Sequence, residues 1–290
     1  MTRIAVVTGG NKGIGFCIVK QLCQKFNGIV YLTARNTNLG QAAVTELEKL
    51  GLKPHFHQLD VSDDDSVNVF KEYLSKTYNR LDILINNAAI AFKMDATDPF
   101  GIQAEETLKI NYFGLKKVCN ALYPLLKPHA RVVHLSSGAG HLSKIPGASL
   151  RAKLSDPDLT EEDLDKLMND FISSAKAGTH VEAGWPQSAY SVSKVGVSTL
   201  TRIHQKLFDK DAREDLVVNS VHPGFVDTDM TSHGRSSAFS RYRASMMTPD
   251  RGAQAPVYLA LLPPNTDIKG KYIWSDNTVV DWLAESTPPL

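Results

Sequence analysis

The chain has 290 residues, enough for one large domain, with 42% hydrophobic and 22% charged residues in ordinary globular proportion. Its formal net charge is +1 with Lys and Arg scattered, so the basic excess expected of a nucleic-acid or membrane-surface protein is missing. Cys17, Cys23 and Cys119 are dispersed thiols without a CxxC, no apolar run reaches membrane-span length, and the N-terminus shows no secretory pattern. A cytoplasmic protein without nucleic-acid or membrane partners is expected.

Strand-length apolar runs occupy residues 4–8, 29–33, 55–60, 81–86, 131–136, 216–221 and 271–274. Amphipathic segments such as 14–26, 39–50 and 63–78 separate nearly all of them. This alternation predicts an α/β fold with a mostly parallel sheet of about seven strands and helices on both faces. Several strands are apolar throughout, as expected when both faces of a sheet are covered. No repeat or linker interrupts the chain, and residues 1–290 read as a single domain.

The first strand runs into Thr8-Gly9-Gly10-Asn11-Lys12-Gly13-Ile14-Gly15, which opens the first helix. Glycines permit a tight turn and close approach of backbone to a pyrophosphate, and a helix N-terminus offers free N–H groups and a positive dipole end. The strand before and helix after are the context such a turn requires, so the sheet is read as a Rossmann-like, doubly wound one. The second strand ends in Ala34-Arg35, where an NAD enzyme usually places an acid for the ribose 2′-OH. Arg35 suits a 2′-phosphate and Lys12 adds a second cation, which together point to NADP(H). Asp60-Val61 ends the third strand, with Ser62 the expected N-cap of the next helix. Asn86-Asn87-Ala88-Ala89 ends the fourth and is, alone, a turn signal. His55 and His57 lack a third ligand, so no metal site is expected.

About fifty residues separate the strand ending at Ser136 from the helix near Tyr190, far more than an ordinary loop. A helical insertion over about 140–186 is expected there. Thr160-Glu161-Glu162-Asp163 resembles a capping box, and Leu164, Leu167, Met168, Phe171 and Ile172 then form one apolar stripe that ends at Gly178.

Tyr190 and Lys194 stand at i and i+4, a spacing that puts a phenol and an ammonium on one helix face. A nearby cation favours the phenolate and lowers the phenol pKa, as a proton donor in carbonyl reduction needs. Tyr112/Lys116 and Tyr123/Lys127 share the spacing. Ligands of open α/β sheets bind beyond the carboxyl ends of strands. Only Tyr190 follows such an end, Leu135-Ser136-Ser137, through the insertion, and Ser137 can donate to a carbonyl oxygen.

The TGxxxGxG spacing, Asn86-Asn87-Ala88-Ala89, Asn111, Ser137, Tyr190, Lys194 and His222-Pro223-Gly224-Phe225-Val226-Asp227-Thr228 resemble the short-chain dehydrogenase/reductases. With Phe56-His57-Gln58-Leu59-Asp60, Gly184-Trp185-Pro186 and Pro256-Val257-Tyr258-Leu259, the likeness extends along essentially the whole chain to the cytosolic monomeric NADPH-dependent carbonyl reductases of that family. The resemblance implies a dinucleotide-binding catalytic domain that reduces aldehydes, ketones and quinones with NADPH. It implies Tyr190 as proton donor, Ser137 orienting the oxygen, Lys194 tuning the phenol and binding ribose, and Asn111 holding a relay water. It assigns the cofactor to Gly9, Asn11, Lys12, Gly13, Ile14, Gly15, Arg35, Asp60, Val61, Asn87, Tyr190, Lys194, Val226 and Thr228. Ser137, Phe92, Ala139, Trp185, Phe225 and Met230 would line the substrate pocket, with the polar 228–248 segment as a lid. The insertion would block the helix face through which related enzymes form tetramers, leaving a monomer. His222, Phe225 and Ala139 replace a cysteine, a tryptophan and a bulky residue of the mammalian members, which weighs against glutathione-conjugate and prostaglandin substrates. A steroid, retinol or pterin reductase on the same scaffold and a non-catalytic dinucleotide binder are the alternatives.

Overall fold

The computed structural model describes residues 2–93, 95–231 and 246–288. Strands β1 (Ile4–Val7), β2 (Ile29–Ala34), β3 (His55–Gln58), β4 (Leu81–Asn86), β5 (Leu126–Leu135), β6 (Val217–Val221), β7 (Tyr272–Ile273) and β8 (Val279–Val280) form an 8-stranded sheet in the order β3-β2-β1-β4-β5-β6-β7-β8. All pairings are parallel except β7 with β8. This is the Rossmann-like, doubly wound architecture, and the strand order reverses between β1 and β4, where such sheets open a ligand crevice.

The apolar strands serve two cores at once. Ile4 and Val6 belong to one buried cluster and Ala5 and Val7 to the other, as do Leu84 against Ile83 and Ile85. Successive side chains on a strand point to opposite faces, so an unbroken apolar run buries both. Helices α1 (Gly13–Lys25) and α2 (Thr37–Lys49) cover one face. On the other lie α3 (Asp64–Thr77), α4 (Phe100–Leu108), α5 (Leu115–Leu122) and α8 (Ala189–Phe208).

Three local expectations are corrected. The N-cap of α3 is Asp63, which accepts from Asp65 N–H at 3.1 Å; Ser62 instead donates its N–H (2.9 Å) and hydroxyl (2.7 Å) to Asp60. Strand β5 begins five residues early, because the polar Lys127-Pro128-His129 stretch hides it from an apolar count. A short antiparallel β8 closes the edge beyond β7.

The insertion contains α6 (Ala148–Ser155) and α7 (Glu161–Ala177). Thr160 accepts from Asp163 N–H at 3.1 Å, and Gly178 ends α7 in the left-handed region at φ 75°. Leu164, Leu167, Met168 and Phe171 are buried, and α7 packs against α4 and α8. Losing a fully buried aromatic such as Phe171 to alanine would cost about 3–5 kcal/mol.

Between α4 and α5 the helix widens into a π turn over Lys109–Gly114. Such turns are rare and recur at functional sites.

Candidate active site

A cleft of about 700 Å³ opens at the β1/β4 reversal. Gly9, Asn11, Lys12, Gly13, Ile14, Gly15, Arg35, Asp60, Val61, Asn87, Thr228 and Met230 line it together. Gly9 and Gly13 have φ of 64° and 55°, which other residues rarely adopt. A Cβ on Gly15 would stand 2.3 Å from the Gly9 carbonyl oxygen, so α1 can approach the strand only with glycine there. No side chain caps the first turn of α1, leaving its N–H groups directed at the cleft. Asn87 donates its side-chain amide to the carbonyls of Thr8 (2.9 Å) and Gly9 (3.0 Å), stapling β4 to the glycine turn.

Arg35 is exposed at the carboxyl end of β2. Lys12 lies across the cleft from Asp229, and their side chains pair at 3.0 Å. Both are well exposed, so the pair is worth little and leaves Lys12 available to a stronger anion.

Beyond β5 the chain turns at Ser137. Its Oγ accepts from Ala139 N–H at 3.2 Å, which leaves its own hydrogen free to donate. Tyr190 sits in the first turn of α8, which Ser188 caps by accepting from Ser191 N–H at 3.1 Å. Burial pushes the Tyr190 phenol above its usual value, and a hydrogen bond with Ser137 pulls it partway back.

Lys194, one turn on, is 4% exposed and donates to the Leu135 carbonyl at 2.6 Å. Its Nζ stands 5.7 Å from the centre of the Tyr190 ring. Burial pushes its pKa down to about 8. The expected lowering of the phenol by this ammonium is therefore corrected. The charge is aimed at a carbonyl dipole, and desolvation governs both groups.

Asn111 lies in the π turn with three side-chain hydrogen bonds. It accepts from Ile90 N–H (2.8 Å) and donates to Ile90 O (2.9 Å) and Ser193 Oγ (3.1 Å). Both amide hydrogens go to clamping the loop after β4 to α8, so a relay water would meet this side chain at the second acceptor site of its oxygen.

The two other Tyr–Lys spacings have structural employment. The Tyr112 hydroxyl donates to Asp165 at 2.9 Å, and Lys116 pairs with the same carboxylate, docking α7 on the helix below it. The Tyr123 hydroxyl meets His204 Nδ1 at 2.7 Å, inside a buried group with Cys119 and His134.

The pocket residues divide. Ser137 neighbours Tyr190, and Ala139 is hydrogen-bonded to Ser137. Trp185 is corrected to a core residue: it is 2% exposed and packs edge-on against Phe171 at 5.4 Å. Phe92 lines an adjoining depression of about 460 Å³ that shares Ile90 and Ala91 with the cleft. Met230 lines the dinucleotide cleft. Val226 is buried and bridges to Met247, and the Met247 N–H donates to the Phe225 carbonyl at 2.7 Å. Most of the expected lid, 232–245, lies outside the described residues. The sequence reading missed Tyr272 and Trp274, which stand behind the Ser137 turn; their i, i+2 spacing on a strand was the available signal.

A model of the short chain dehydrogenase family matches residues 3–150. The chain belongs to that family. It is 44% identical to human carbonyl reductase (NADPH) 1 over 282 residues, covering 97% of this chain and 98% of that protein. To mouse carbonyl reductase (NADPH) 3 it is 45% identical over 284 residues, covering 97% and 99%. Among solved structures, salutaridine reductase from Papaver somniferum superposes with a TM-score of 0.81 at 32% identity, over 93% of this chain and 99% of that one. Family membership places the glycine turn, the serine turn and the first turn of α8 in a dehydrogenase framework.

Proposed function

We propose that this chain is an NADPH-dependent carbonyl reductase that converts aldehydes, ketones and quinones to alcohols. The observation that carries the reading is the buried Lys194 tied to the end of β5, one helical turn from Tyr190 and beside a cleft with an uncapped helix end. Full-length likeness to two carbonyl reductases supports it.

The cleft fits NADPH on its own residues. Positive-φ glycines and the open α1 terminus suit the pyrophosphate, and Arg35 with Lys12 suits the 2′-phosphate. No acid ends β2 to repel that phosphate. Bound there, NADPH supplies the hydride.

The rest falls to side chains. Tyr190 keeps its proton at neutral pH, because its pKa is raised, and delivers it to the carbonyl oxygen. Ser137 donates a hydrogen bond to the same oxygen. The Lys194 ammonium, held at the end of β5, would bind the ribose hydroxyls of the cofactor. Asn111 holds the loop and helix that carry these groups in register.

We read the protein as a cytosolic monomer: α7 covers α4 and α8, and the three cysteines are unpaired. No helix among the described residues is long and apolar enough to cross a membrane.

The test is Tyr190→Phe assayed with NADPH and menadione. Loss of turnover by about 10²–10⁴-fold with unchanged NADPH affinity is expected. Turnover near the wild-type rate would overturn the assignment.

A further inference from the structure

Both polar ends of one peptide unit, the one joining Ser137 to Gly138, are held by side chains from neighbouring strands. Gly138 N–H donates to His222 Nδ1 at 2.8 Å. The Ser137 carbonyl accepts from the Tyr272 hydroxyl. His222 follows β6 and Tyr272 lies on β7, so adjacent strands grip the turn.

The first bond fixes the imidazole. A backbone N–H can only donate, so Nδ1 carries no hydrogen and the neutral ring carries it on Nε2. Burial keeps the ring neutral, with its pKa pushed down to about 4. Nε2 is buried without a hydrogen-bond partner, and the ring centre lies 4.3 Å from that of Trp274. A buried donor left unpaired costs stability, and an aliphatic side chain would fill the space without that cost. An aliphatic side chain could not accept from Gly138. Packing therefore does not account for the ring, whereas holding the peptide does.

The held peptide matters because Ser137 hangs from it. Ser137 is extended, at φ −170° and ψ 163°, with Oγ turned back on Ala139 N–H and near enough to Tyr190 to lower its burial-raised phenol pKa. Rotating the Ser137–Gly138 peptide would change ψ of Ser137 and carry its hydroxyl off the Tyr190 axis.

We propose that His222 and Tyr272 are positioning residues for the reduction step. They clamp the Ser137–Gly138 peptide so that the Ser137 hydroxyl meets the carbonyl oxygen that Tyr190 protonates. This rests on the carbonyl-reductase reading and extends it to two residues outside the reacting groups.

The experiment measures kcat for menadione, and NADPH affinity by nicotinamide fluorescence, for His222→Leu, His222→Gln and Tyr272→Phe. Each is made alone and with Ser137→Ala. His222→Leu and Tyr272→Phe alone should lower kcat roughly 10-fold or more while NADPH affinity stays within about twofold. His222→Gln offers a carboxamide oxygen to Gly138 N–H and should recover most of the rate. With Ser137→Ala the same substitutions should cost less than about twofold, since the hydroxyl they position is gone. Equal losses in both backgrounds, wild-type kcat in both single variants, or a glutamine variant as slow as the leucine one would overturn the proposal. Tyr272→Phe removes a single hydroxyl and keeps the test decisive should His222→Leu fail to fold. If Ser137→Ala itself leaves kcat unchanged, the roles given to the reacting groups fail instead, a separate outcome.

Discussion

Leu135 and Lys194 are joined by a 2.6 Å hydrogen bond from the ammonium to the carbonyl oxygen. Two residues further along, the Ser137 hydroxyl lies close enough to Tyr190 to pull its burial-raised phenol pKa partway down. The end of β5 thus supplies a separate partner to each member of the i, i+4 pair on α8. The phenol and ammonium are held apart by the strand, poised to act on a ligand that bridges them.

A pH dependence follows from Lys194. Burial pushes its pKa down to about 8, so the ammonium is charged below that pH and lost above it. Carbonyl reduction should therefore fall along a one-proton limb above about pH 8. A kcat profile with menadione between pH 6 and 10 checks this. A flat profile through pH 9 would contradict the assigned role.

The same shift makes Lys194 a stability liability. A lysine whose folded pKa lies below its unfolded value destabilises the fold at pH below the folded value, and the penalty fades as pH rises toward the unfolded value. Lowering it from its ordinary 10.5 to about 8 costs on the order of 3 kcal/mol at neutral pH. Lys194→Met should abolish turnover yet raise the denaturation midpoint at pH 7, with the gain shrinking toward pH 10. Urea unfolding at both pH values measures it, and a less stable methionine variant at pH 7 would refute the prediction.

Cofactor choice should rest chiefly on Arg35, because Lys12 already has an acidic neighbour in Asp229. Arg35→Asp is expected to weaken NADPH binding roughly 10-fold to 100-fold and leave NADH nearly unchanged. Lys12→Ala should weaken NADPH by less. Fluorescence titration of both nucleotides decides it; equal losses for NADPH and NADH would remove the 2′-phosphate from the argument.

Asp165 should matter for stability and not for chemistry. It accepts from Tyr112, whose phenol is fully buried, and pairs with Lys116. Asp165→Ala would strand the Tyr112 hydroxyl, while Lys116 keeps Glu161 at 3.9 Å, and would cost about 1–3 kcal/mol in urea unfolding. Its kcat should match wild type, because neither donor faces the cleft.

What the sequence disclosed was local. The glycine turn, the Thr160 and Gly178 ends of α7 and its buried stripe each depend on residues a few positions apart, where spacing alone encodes geometry. Order along the chain also singled out Tyr190 from three equal spacings, because only one strand end precedes such a pair. What stayed hidden was distant in sequence. The clamp on Ser137 joins it to Tyr272 across 135 positions and joins Gly138 to His222 across 84, pairings no periodicity announces. Trp185 was misread because a short Gly-Trp-Pro loop gives no sign of which way its ring falls; Phe171 on α7 draws it into the core. Desolvation of Lys194 was equally invisible, since depth is a property of the folded molecule.

The wide turn at Lys109–Gly114 has a consequence for how this chain can change length. Asn111 faces Ile90 and Ser193, and Tyr112 faces Asp165, from consecutive positions in that turn. Deleting one residue there would let the turn wind as an ordinary α-helix, which keeps the flanking helices in phase but changes which side chains the turn presents. Asn111 and Tyr112 could then no longer both reach Ser193 and Asp165 from the turn. Insertions and deletions should be tolerated in the exposed loop near residues 95–98 and rejected between 109 and 114, a contrast that a library of single-residue indels would expose directly.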